Sequence, residues 1–433
     1  MKIQDLKPNY LEKSVCVMNI ILFSTILWLQ YLSRSLLVIL FFIGIYTAVK
    51  SKKKWHKEQL WFAFPLVLFF VVASASYFFN DMTSQGLSIL SDRYTILLAS
   101  IPLLHLYAHR STSTSCTWLT LAFAALSAGV VAIIDVSYFN ITRATGDNNP
   151  VLFAIVTLGF ISVSLASLEF FRSFRFGKIL FVVSFGFGIL ALLLTQSRGS
   201  WIALPIIFAA SIFFYLGKVP LIHKVVFVLL ASIILPSASY FFVPQVQSRV
   251  DTAIKQVTPY LVGTESEHDR GTSVGLRIEM WKTSLSIFSD NKIIGTGTGS
   301  FKREMKKYTA ENSDSYQGLA TMKHKHAHNE YIHTLFTKGI LGFICLILIL
   351  MIHFSLFAKY LRSSYDPSVR SLALAGCLTV VSYAIAGLTD VPFEQKVTLI
   401  AYSAFTAILL GSILSLLNRR ASVVADLGSS TSS

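Results

Sequence analysis

Long apolar segments recur along the whole chain and leave it very few folds. A helix needs roughly 20 mostly apolar residues to cross a bilayer, and twelve segments approach or reach that length. They are residues 15–32, 35–49, 60–79, 94–108, 116–136, 151–168, 179–195, 201–216, 225–243, 339–357, 371–389 and 397–417. The second and fourth are short, so ten or eleven spans are the alternative. We predict an all-α polytopic membrane protein with about twelve transmembrane helices.

The composition agrees with a membrane protein and excludes other classes. Hydrophobic residues make up 54% of the chain and charged residues only 14%, whereas soluble domains carry about 25% charged residues. A cytosolic enzyme, a disordered chain and a disulfide-stapled secreted scaffold are therefore excluded. All four cysteines lie in or beside apolar segments, so we expect no disulfide framework.

The basic residues lie mostly on one side of the predicted spans. If the N-terminus is inside, the inner segments hold 19 Lys and Arg residues and the short outer loops hold five. Positive residues are retained on the cytoplasmic side, so both termini are predicted to be cytoplasmic. Most of the formal net charge of +15 is then a topology signal, and no nucleic-acid partner is expected.

One connection is far longer than the others. Residues 244–338 are polar, mixed in charge and predicted to lie on the outer face. Structureless loops beyond about 15 residues are uncommon, so we expect this one to fold. The pattern predicts amphipathic helices at 245–260 and 275–289, a flexible connector at 263–273, a turn at 294–301, a short helix at 301–310, and a helix that begins near His326 and enters the tenth span.

These predictions divide the chain into four parts. They are residues 1–243 with nine spans, residues 244–338 as the large loop with the candidate catalytic residues, residues 339–420 with three spans, and residues 421–433 as a disordered cytoplasmic tail.

Arg198 lies in a tight outer turn, Thr-Gln-Ser-Arg-Gly-Ser-Trp at residues 195–201. No Asp or Glu occurs between Glu169 and Asp251, so no sequence neighbour can neutralise it. A guanidinium presents a planar fork of donors that suits phosphate oxygens, which predicts an anion clamp. The alternative is an interfacial arginine that reaches toward lipid headgroups.

A second arginine, Arg277, lies in Gly-Leu-Arg-Ile-Glu-Met-Trp at residues 275–281. Leu276, Met280 and Trp281 form one face of the predicted helix, and Arg277 lies on its flank. It could bind the same anion as Arg198, or it could lie beside Glu279 on a solvated face of the helix.

Residues 323–333 contain four of the ten histidines. His324 and His328 could share a metal ion on a helix, but no His-Glu-x-x-His pattern occurs and the neighbouring lysines would repel a cation. Histidine titrates near neutrality, so one of them could instead be a general base. The third interpretation is a solvated surface turn.

Three further features border the predicted outer face. Arg143 begins the turn Arg-Ala-Thr-Gly-Asp-Asn-Asn-Pro, which could be an ordinary interfacial turn. Asp390, at the outer end of the eleventh span, could orient a histidine or an arginine, or cap a turn. The Gly-Thr-Gly-Thr-Gly-Ser run at 295–300 lacks the Gly-Lys-Ser/Thr of a Walker loop, so we interpret it as a backbone turn that presents Phe301.

Arginines and a histidine thus converge on the outer leaflet around one folded loop. Two arginines and a base suit a phosphate-rich leaving group and a hydroxyl nucleophile, which is the chemistry of lipid-linked diphosphate sugars in bacterial envelopes. Twelve spans are also typical of secondary transporters, but those usually show related halves and ionisable residues near the bilayer midplane. Neither feature is visible here. A purely structural anchor would not need the rim arginines.

The order of these motifs resembles the O-antigen ligase and polymerase superfamily of bacterial integral-membrane glycosyltransferases. The motifs are Thr-x-Ser-Arg-Gly at 195–199, Gly-Leu-Arg-x-x-x-Trp at 275–281, Gly-x-Gly-x-Gly-x-Phe at 295–301 and His-x-His-Asn-x-Tyr at 326–331, with the Arg143 turn and Asp390. The length and the single large loop are most similar to the O-antigen ligases. The superfamily also contains O-antigen polymerases and protein O-oligosaccharyltransferases, which share the donor and differ in the acceptor.

The resemblance implies a GT-C-like architecture with a periplasmic active site in the inner membrane of a Gram-negative bacterium. It implies an inverting enzyme, with no metal and no cofactor, that transfers O-antigen from undecaprenyl diphosphate to lipid A–core oligosaccharide. Apart from these two substrates and membrane lipid it implies no partner, and it is compatible with a monomer.

The resemblance also implies roles for individual residues. Arg198 and Arg277 would bind the diphosphate and stabilise its developing charge, and His328 would take the proton from the acceptor hydroxyl. The other substrate-binding residues would be Arg143, Asp390, Asn329 and Tyr331.

Overall fold

The structure, a computed structural model, consists of helices joined by turns. It describes residues 10–50, 55–109, 113–172, 176–215, 219–220, 222–224, 226, 230, 240–241, 244–312, 315–321 and 325–430. No β-strand occurs within these ranges. The prediction of an all-α fold is confirmed.

Helices α1 to α11 precede the large loop. They are α1 Tyr10–Thr25, α2 Gln30–Lys50, α3 Lys57–Phe78, α4 Ser84–Ile89, α5 Thr95–His109, α6 Thr114–Ser137, α7 Pro150–Ala166, α8 Leu168–Arg172, α9 Gly177–Leu194, α10 Arg198–Trp201 and α11 Ala203–Tyr215. A π-helical turn, Leu90–Tyr94, joins α4 to α5.

The large loop and the C-terminal part form the remaining described helices. They are α12 Pro244–Val262, α13 Glu267–Gly271, α14 Ser273–Phe288, α15 Phe301–Glu311, α16 Gly318–Thr321, α17 Glu330–Ser363, α18 Pro367–Ala386 and α19 Lys396–Ser430. The loop is therefore mostly helical, as predicted, although the connector expected at 263–273 contains the short helix α13.

Nine helical segments in the described part of the chain are long and apolar enough to cross a membrane. The shorter helix α7 coincides with a further predicted span, and α1 overlaps the first one, which was predicted to end at residue 32 but ends at Thr25. Eleven of the twelve predicted segments are thus helical, and the chain is a polytopic membrane protein. The ninth predicted span, residues 225–243, lies almost entirely outside the described residues, so the count of twelve stays a prediction.

Two predicted boundaries are wrong. The helix expected to begin near His326 begins at Glu330, because the side chain of Asn329 caps it there. The tail expected to be disordered from residue 421 is helical to Ser430, since helix-forming residues such as Ala421 and Leu427 continue α19 beyond its apolar part. Residues 431–433 lie outside the described residues.

The expectation about cysteines also needs a correction. Cys16 of α1 and Cys116 of α6 form a disulfide. They are 100 residues apart in sequence, and packing of α1 against α6 brings them together. Cys345 and Cys377 are free and buried.

Helix α19 lies at the centre of the bundle. All side chains in its most apolar stretch are buried, and it packs against α5, α7 and α18. At Gly411 a Cβ atom would lie only 2.4 Å from the Cβ of Tyr107, which is the close backbone approach that small residues permit between membrane helices. The turn that precedes α19 is therefore held by the best-packed part of the molecule.

Helix α17 is interrupted at Gly339, which has φ 64° and ψ −166°. Such a break frees backbone groups, and at membrane depth each of them needs a partner. Residues 292–297 provide several. The Ile340 amide donates to the Lys292 carbonyl over 2.8 Å, and the Thr296 amide donates to the Phe336 carbonyl over 2.9 Å.

The glycine-rich run at 295–300 is the backbone turn that the sequence predicts. The Gly297 amide donates to the Thr337 carbonyl over 3.1 Å, and Thr298 Oγ1 donates to the Ala73 carbonyl of α3 over 2.8 Å. The run ends at Phe301, which is buried at the start of α15. It therefore joins the large loop to α3 and α17.

We predict that Gly339→Ala destabilises the protein. The positive φ disfavours any Cβ, and this one would lie 2.2 Å from the Ile293 carbonyl oxygen, so a cost of about 1–3 kcal/mol is expected. Gly186→Ala is the control, because no atom lies within 4 Å of a Cβ built there. The apparent melting temperature in detergent should fall for Gly339→Ala only. Equal melting temperatures for the two variants would contradict the conclusion that position 339 requires glycine.

Candidate active site

The histidine segment is a loop that ends at the start of α17. Asn329 Oδ1 accepts hydrogen bonds from the amides of Tyr331 and Ile332, at 3.0 and 3.1 Å. This N-cap satisfies amides that lack partners in the first turn. His326 and His328 therefore project from non-helical backbone, and the spacing of His324 and His328 on one helix does not arise; His324 lies outside the described residues.

His328 has a left-handed backbone, with φ 51°, which is uncommon for a residue other than glycine. The preceding residue, Ala327, is fully buried. Its carbonyl accepts a hydrogen bond from Trp281 Nε1 over 2.8 Å. Strained backbone persists only where its surroundings hold it, and here α14 holds it through Trp281. The orientation of His328 is thus fixed by packing and not by helical periodicity.

The residues after His328 join its loop to the turn between α18 and α19. The Glu330 amide donates to the Gly387 carbonyl over 2.7 Å. Asn329 Nδ2 donates to the Leu388 carbonyl over 3.2 Å, and the Tyr331 hydroxyl donates to the Ala384 carbonyl over 2.7 Å. Asn329 and Tyr331, expected as substrate-binding residues, are thus engaged in structural hydrogen bonds.

Asp390 lies at the centre of this arrangement and is only 2% exposed. Its Oδ1 lies 3.6 Å from Nδ1 of His328 and 3.7 Å from Nδ1 of His326. The two imidazole rings are 4.4 Å apart and nearly perpendicular. The structure therefore brings together His328 and Asp390, which was one of the alternatives that the sequence left open, and adds His326.

The electrostatics of this group follow from burial. Burial lowers the pKa of His326 to about 4, although the Asp390 carboxylate opposes the shift, so this imidazole is neutral near pH 7. Burial raises the pKa of Asp390, but the polar interaction with His328 and the neighbouring His326 outweigh it, and the net pKa lies below its ordinary value. The carboxylate is therefore ionised.

Arg277 approaches the same carboxylate from α14. Burial lowers its pKa, and the charge of Asp390 raises it. An arginine keeps its proton in proteins even so. A half-buried cation thus interacts electrostatically with the Asp390 group, which argues against the solvated interpretation.

Arg198 is brought to the other side of this turn. It begins α10, and the next residue, Gly199, packs so closely on Thr389 that a Cβ would lie 2.3 Å from Thr389 Oγ1. The glycine of the Ser-Arg-Gly motif therefore permits α10 to contact the residue that precedes Asp390.

Arg143 contacts the turn that carries Arg198. Its Nε donates to the Thr195 carbonyl over 2.9 Å. The Ala144 amide donates to the Leu194 carbonyl over 3.0 Å, and Gln196 Nε2 donates to the Thr142 carbonyl over 2.9 Å. Arg143 thus supports the position of this turn.

A second group of charges, not foreseen from the sequence, lies beneath the site. Glu394 contacts Nε2 of His333, and its Oε1 lies 4.0 Å from Lys338 Nζ. Arg93 Nη1 donates to the Glu394 carbonyl over 2.6 Å. Burial raises the pKa of Glu394, but His333 and Lys338 outweigh it and hold the pKa well below its usual range.

Glu330 connects this lower group to the upper one. Its Oε2 accepts a hydrogen bond from the Phe393 amide over 2.8 Å, and Thr334 Oγ1 donates to its Oε1 over 3.2 Å. The spacing of Glu330, Thr334 and Lys338 by four residues is the signal that could have revealed one polar face on α17. The acidic Glu394 gave no such signal.

The upper group also has the composition of a metal site. The ligand atoms of His326, His328 and Asp390 lie within 4.8 Å of one another, and two imidazoles with one carboxylate suit several transition metals. The nearby Arg277 opposes a cation by charge. The expected absence of a metal therefore stays a prediction.

Comparison with known proteins relates part of the chain to a family. A profile described as O-antigen ligase matches residues 180–347, and the chain is 27% identical over 221 residues to an O-antigen ligase of Escherichia coli. Part of the chain is therefore similar to O-antigen ligases. The second match covers 51% of this chain and about half, 48%, of the E. coli protein. An uncharacterised protein of Haemophilus influenzae is 25% identical over 358 residues, which is 80% of this chain and 85% of that protein.

The segment that matches the O-antigen ligase profile contains Arg198, Arg277 and His328, whereas Arg143 and Asp390 lie outside it. The contacts of Arg143 with Thr195 and of Asp390 with the histidines connect these two residues to the matched segment. The family suggests a glycosyltransferase-type enzyme.

The buried imidazole of His326 predicts a loss of stability in acid. An unfolded histidine binds a proton near pH 6.5, whereas the folded His326 does so at about pH 4. Between these values the unfolded chain binds more protons than the folded protein. The free energy of unfolding therefore decreases as the pH is lowered, by up to about 1.4 kcal/mol per pH unit. We expect the apparent melting temperature to fall more between about pH 7.5 and pH 5 for the wild type than for His326→Gln. An equal fall in both proteins would contradict this.

Proposed function

We propose that the protein is an O-antigen ligase. It would transfer O-antigen polysaccharide from undecaprenyl diphosphate to lipid A–core oligosaccharide during lipopolysaccharide biosynthesis. The observation that carries the proposal is the position of His328 beside the buried carboxylate of Asp390, and the electrostatic interaction of Arg277 with the same carboxylate supports it. The match of residues 180–347 to the O-antigen ligase family supports the choice of reaction.

The two arginines would act on the donor. Cleavage of the bond between the sugar and the diphosphate develops negative charge on the leaving oxygen. Guanidinium groups that are already oriented stabilise such charge, and one such donor contributes roughly 10²–10³-fold to the rate. Arg277 is held on α14, and the close contact of Gly199 with Thr389 holds the turn of Arg198. Arg143 would act through its hydrogen bond to Thr195.

His328 would act on the acceptor. With Nδ1 directed at Asp390, the tautomer that donates from Nδ1 leaves Nε2 as the proton acceptor. Nε2 takes the proton from the acceptor hydroxyl, the oxygen attacks the anomeric carbon, and the bond to the diphosphate breaks. Attack from the side opposite the leaving group inverts that carbon. The ionised Asp390 stabilises the imidazolium that forms, so a nucleotide or metal is not needed.

The site would lie on the periplasmic face of the inner membrane. Arg198, Asp390 and the start of α17 all lie at helix ends opposite to the Lys- and Arg-rich loops, which the positive-inside rule assigns to the cytoplasm. A lipid-linked donor and a lipid acceptor can both reach this level of the bilayer. The large loop, residues 244–338, would then be periplasmic, in a GT-C-like architecture.

Purified protein, given the undecaprenyl-diphosphate-linked glycan with each acceptor separately, tests the choice of acceptor. Glycan should appear on lipid A–core. Elongation of a second lipid-linked glycan, or modification of a protein, in place of this product would overturn the assignment in favour of a polymerase or a protein transferase.

We predict that His328→Ala and Arg277→Ala abolish transfer without loss of the folded protein. Removal of the general base should lower the rate by roughly 10²–10⁴-fold, so the ladder of glycosylated lipopolysaccharide should disappear from cells. His223→Ala and Arg362→Ala, at exposed positions away from the site, are the controls and should retain the ladder. A wild-type ladder in either site variant, expressed at the level of the wild type, would contradict the proposed mechanism.

We predict that metal removal leaves the activity unchanged. The purified enzyme should transfer glycan at the same rate with and without EDTA, because the general base and the two arginines supply the catalysis. A reversible loss, restored by one defined metal, would instead assign His326, His328 and Asp390 as its ligands.

A further inference from the structure

Helix α15 presents a strongly basic face that the proposed chemistry does not use. Its inner face, formed by Phe301, Met305 and Thr309, is buried. The exposed side of the helix carries four cations, which are Lys302, Arg303, Lys306 and Lys307. We refer to these four residues as the basic face.

Few carboxylates neutralise the basic face. Arg303 pairs with Glu304 over 2.7 Å and with Asp81 over 3.4 Å. Among the described residues, no carboxylate oxygen lies within 4.0 Å of the ammonium groups of the three lysines. An anion from outside the protein can therefore approach them without first displacing an ion pair.

The basic face lies near the outer end of a membrane-spanning helix. Asp81, the partner of Arg303, follows directly after α3. Phe79 is 78% exposed, and Phe78 and Met82 are also exposed. Large apolar side chains at the end of a span face lipid at the interface. Cations and lipid-facing apolar residues thus lie side by side, which suits an amphiphile with an anionic headgroup.

The proposed site of reaction has its own cations, Arg198 and Arg277, which are not part of the basic face. On the opposite side of α15 from the basic face, Phe301 packs against His333 and Phe336, with ring centroids 5.2 Å apart in both pairs. The two sets also differ in chemistry. Arginines offer a fixed fork for one reacting diphosphate, whereas lysines are flexible point charges that suit several phosphates on a docked headgroup.

We propose that the basic face of α15 docks the second substrate, a glycolipid acceptor with phosphate groups on its headgroup. This rests on the proposed function, because only an enzyme that joins two lipids needs a second anionic lipid site. The acyl chains remain in the bilayer beside α3, the phosphates contact Lys306 and Lys307, and the saccharide extends toward His328. The basic face thereby selects phosphorylated acceptors and does not contribute to bond cleavage.

The test compares Lys306→Gln/Lys307→Gln with the wild type in nanodiscs. The acceptor is supplied as isolated and after enzymatic removal of its phosphates. Each basic residue near an anionic surface contributes enough for a several-fold change in affinity, so KM for the phosphorylated acceptor should rise about tenfold. KM for the donor and kcat should not change. With the dephosphorylated acceptor, the variant and the wild type should be equal.

Three controls define the result. Lys306→Arg/Lys307→Arg keeps the charges and should retain the wild-type KM. Lys255→Gln, at an exposed lysine of α12, should have no effect. Higher salt should raise the acceptor KM of the wild type more than that of the double variant, since exposed charges are screened.

Equilibrium binding of the phosphorylated acceptor, measured without donor, separates the two proposals. Tenfold weaker binding to the double variant supports the docking site even if no transfer occurs, and only the proposed function then fails. Three results would each overturn the docking site. The double variant and the wild type could bind the phosphorylated acceptor equally, or the variant could lose as much affinity for the dephosphorylated acceptor as for the phosphorylated one. The third is a difference between the two proteins that appears only in nanodiscs of anionic phospholipid. The last outcome would mean that the face binds bulk lipid.

Discussion

The site depends on the attachment of the N-terminus of α17 to the turn that precedes α19. Backbone and side-chain hydrogen bonds from Asn329, Glu330 and Tyr331 reach carbonyls and an amide of residues 384–393. The bond between Glu330 and the Phe393 amide is buried, so it is worth more than on an exposed surface, whereas the bond of Asn329 to Leu388 is exposed. Because α19 is the most enclosed helix, Asp390 is held by the least mobile part of the bundle. The histidine loop is then positioned relative to that carboxylate.

The membrane explains why the large loop is joined so firmly to the spans. A break in a helix at Gly339 would be costly in hydrocarbon unless its backbone groups found partners. The glycine-rich run at 295–300 supplies them and also bonds to α3. The same contacts fix the start of α15 and, through Phe301, the side of α17 that carries His333. The contacts that satisfy the backbone at Gly339 thus also determine where the large loop folds against the spans.

Charged residues form two layers at this end of the protein. The upper layer, around Asp390, contains the groups for which we propose a role at the substrate. The lower layer, around Glu394, is buried, and its charges are balanced by Lys338 and the backbone contact from Arg93. An unpaired buried charge would be strongly destabilising, so the lower layer holds the turn in one conformation. The carboxylates at positions 390 and 394 lie four residues apart yet serve different purposes.

The sequence by itself determined the helical membrane architecture, because it follows from the length of the apolar segments, and the placement of Lys and Arg predicts the side on which the loops lie. It also singled out Arg198, Arg277, His328 and Asp390 from motifs. The start of α17 at Glu330, the pairing of Asp390 with two histidines, and the buried partners of Glu394 were decided only by the tertiary structure. These features depend on contacts between residues tens to hundreds of positions apart, and a local pattern carries no information about which distant groups share a low-dielectric space.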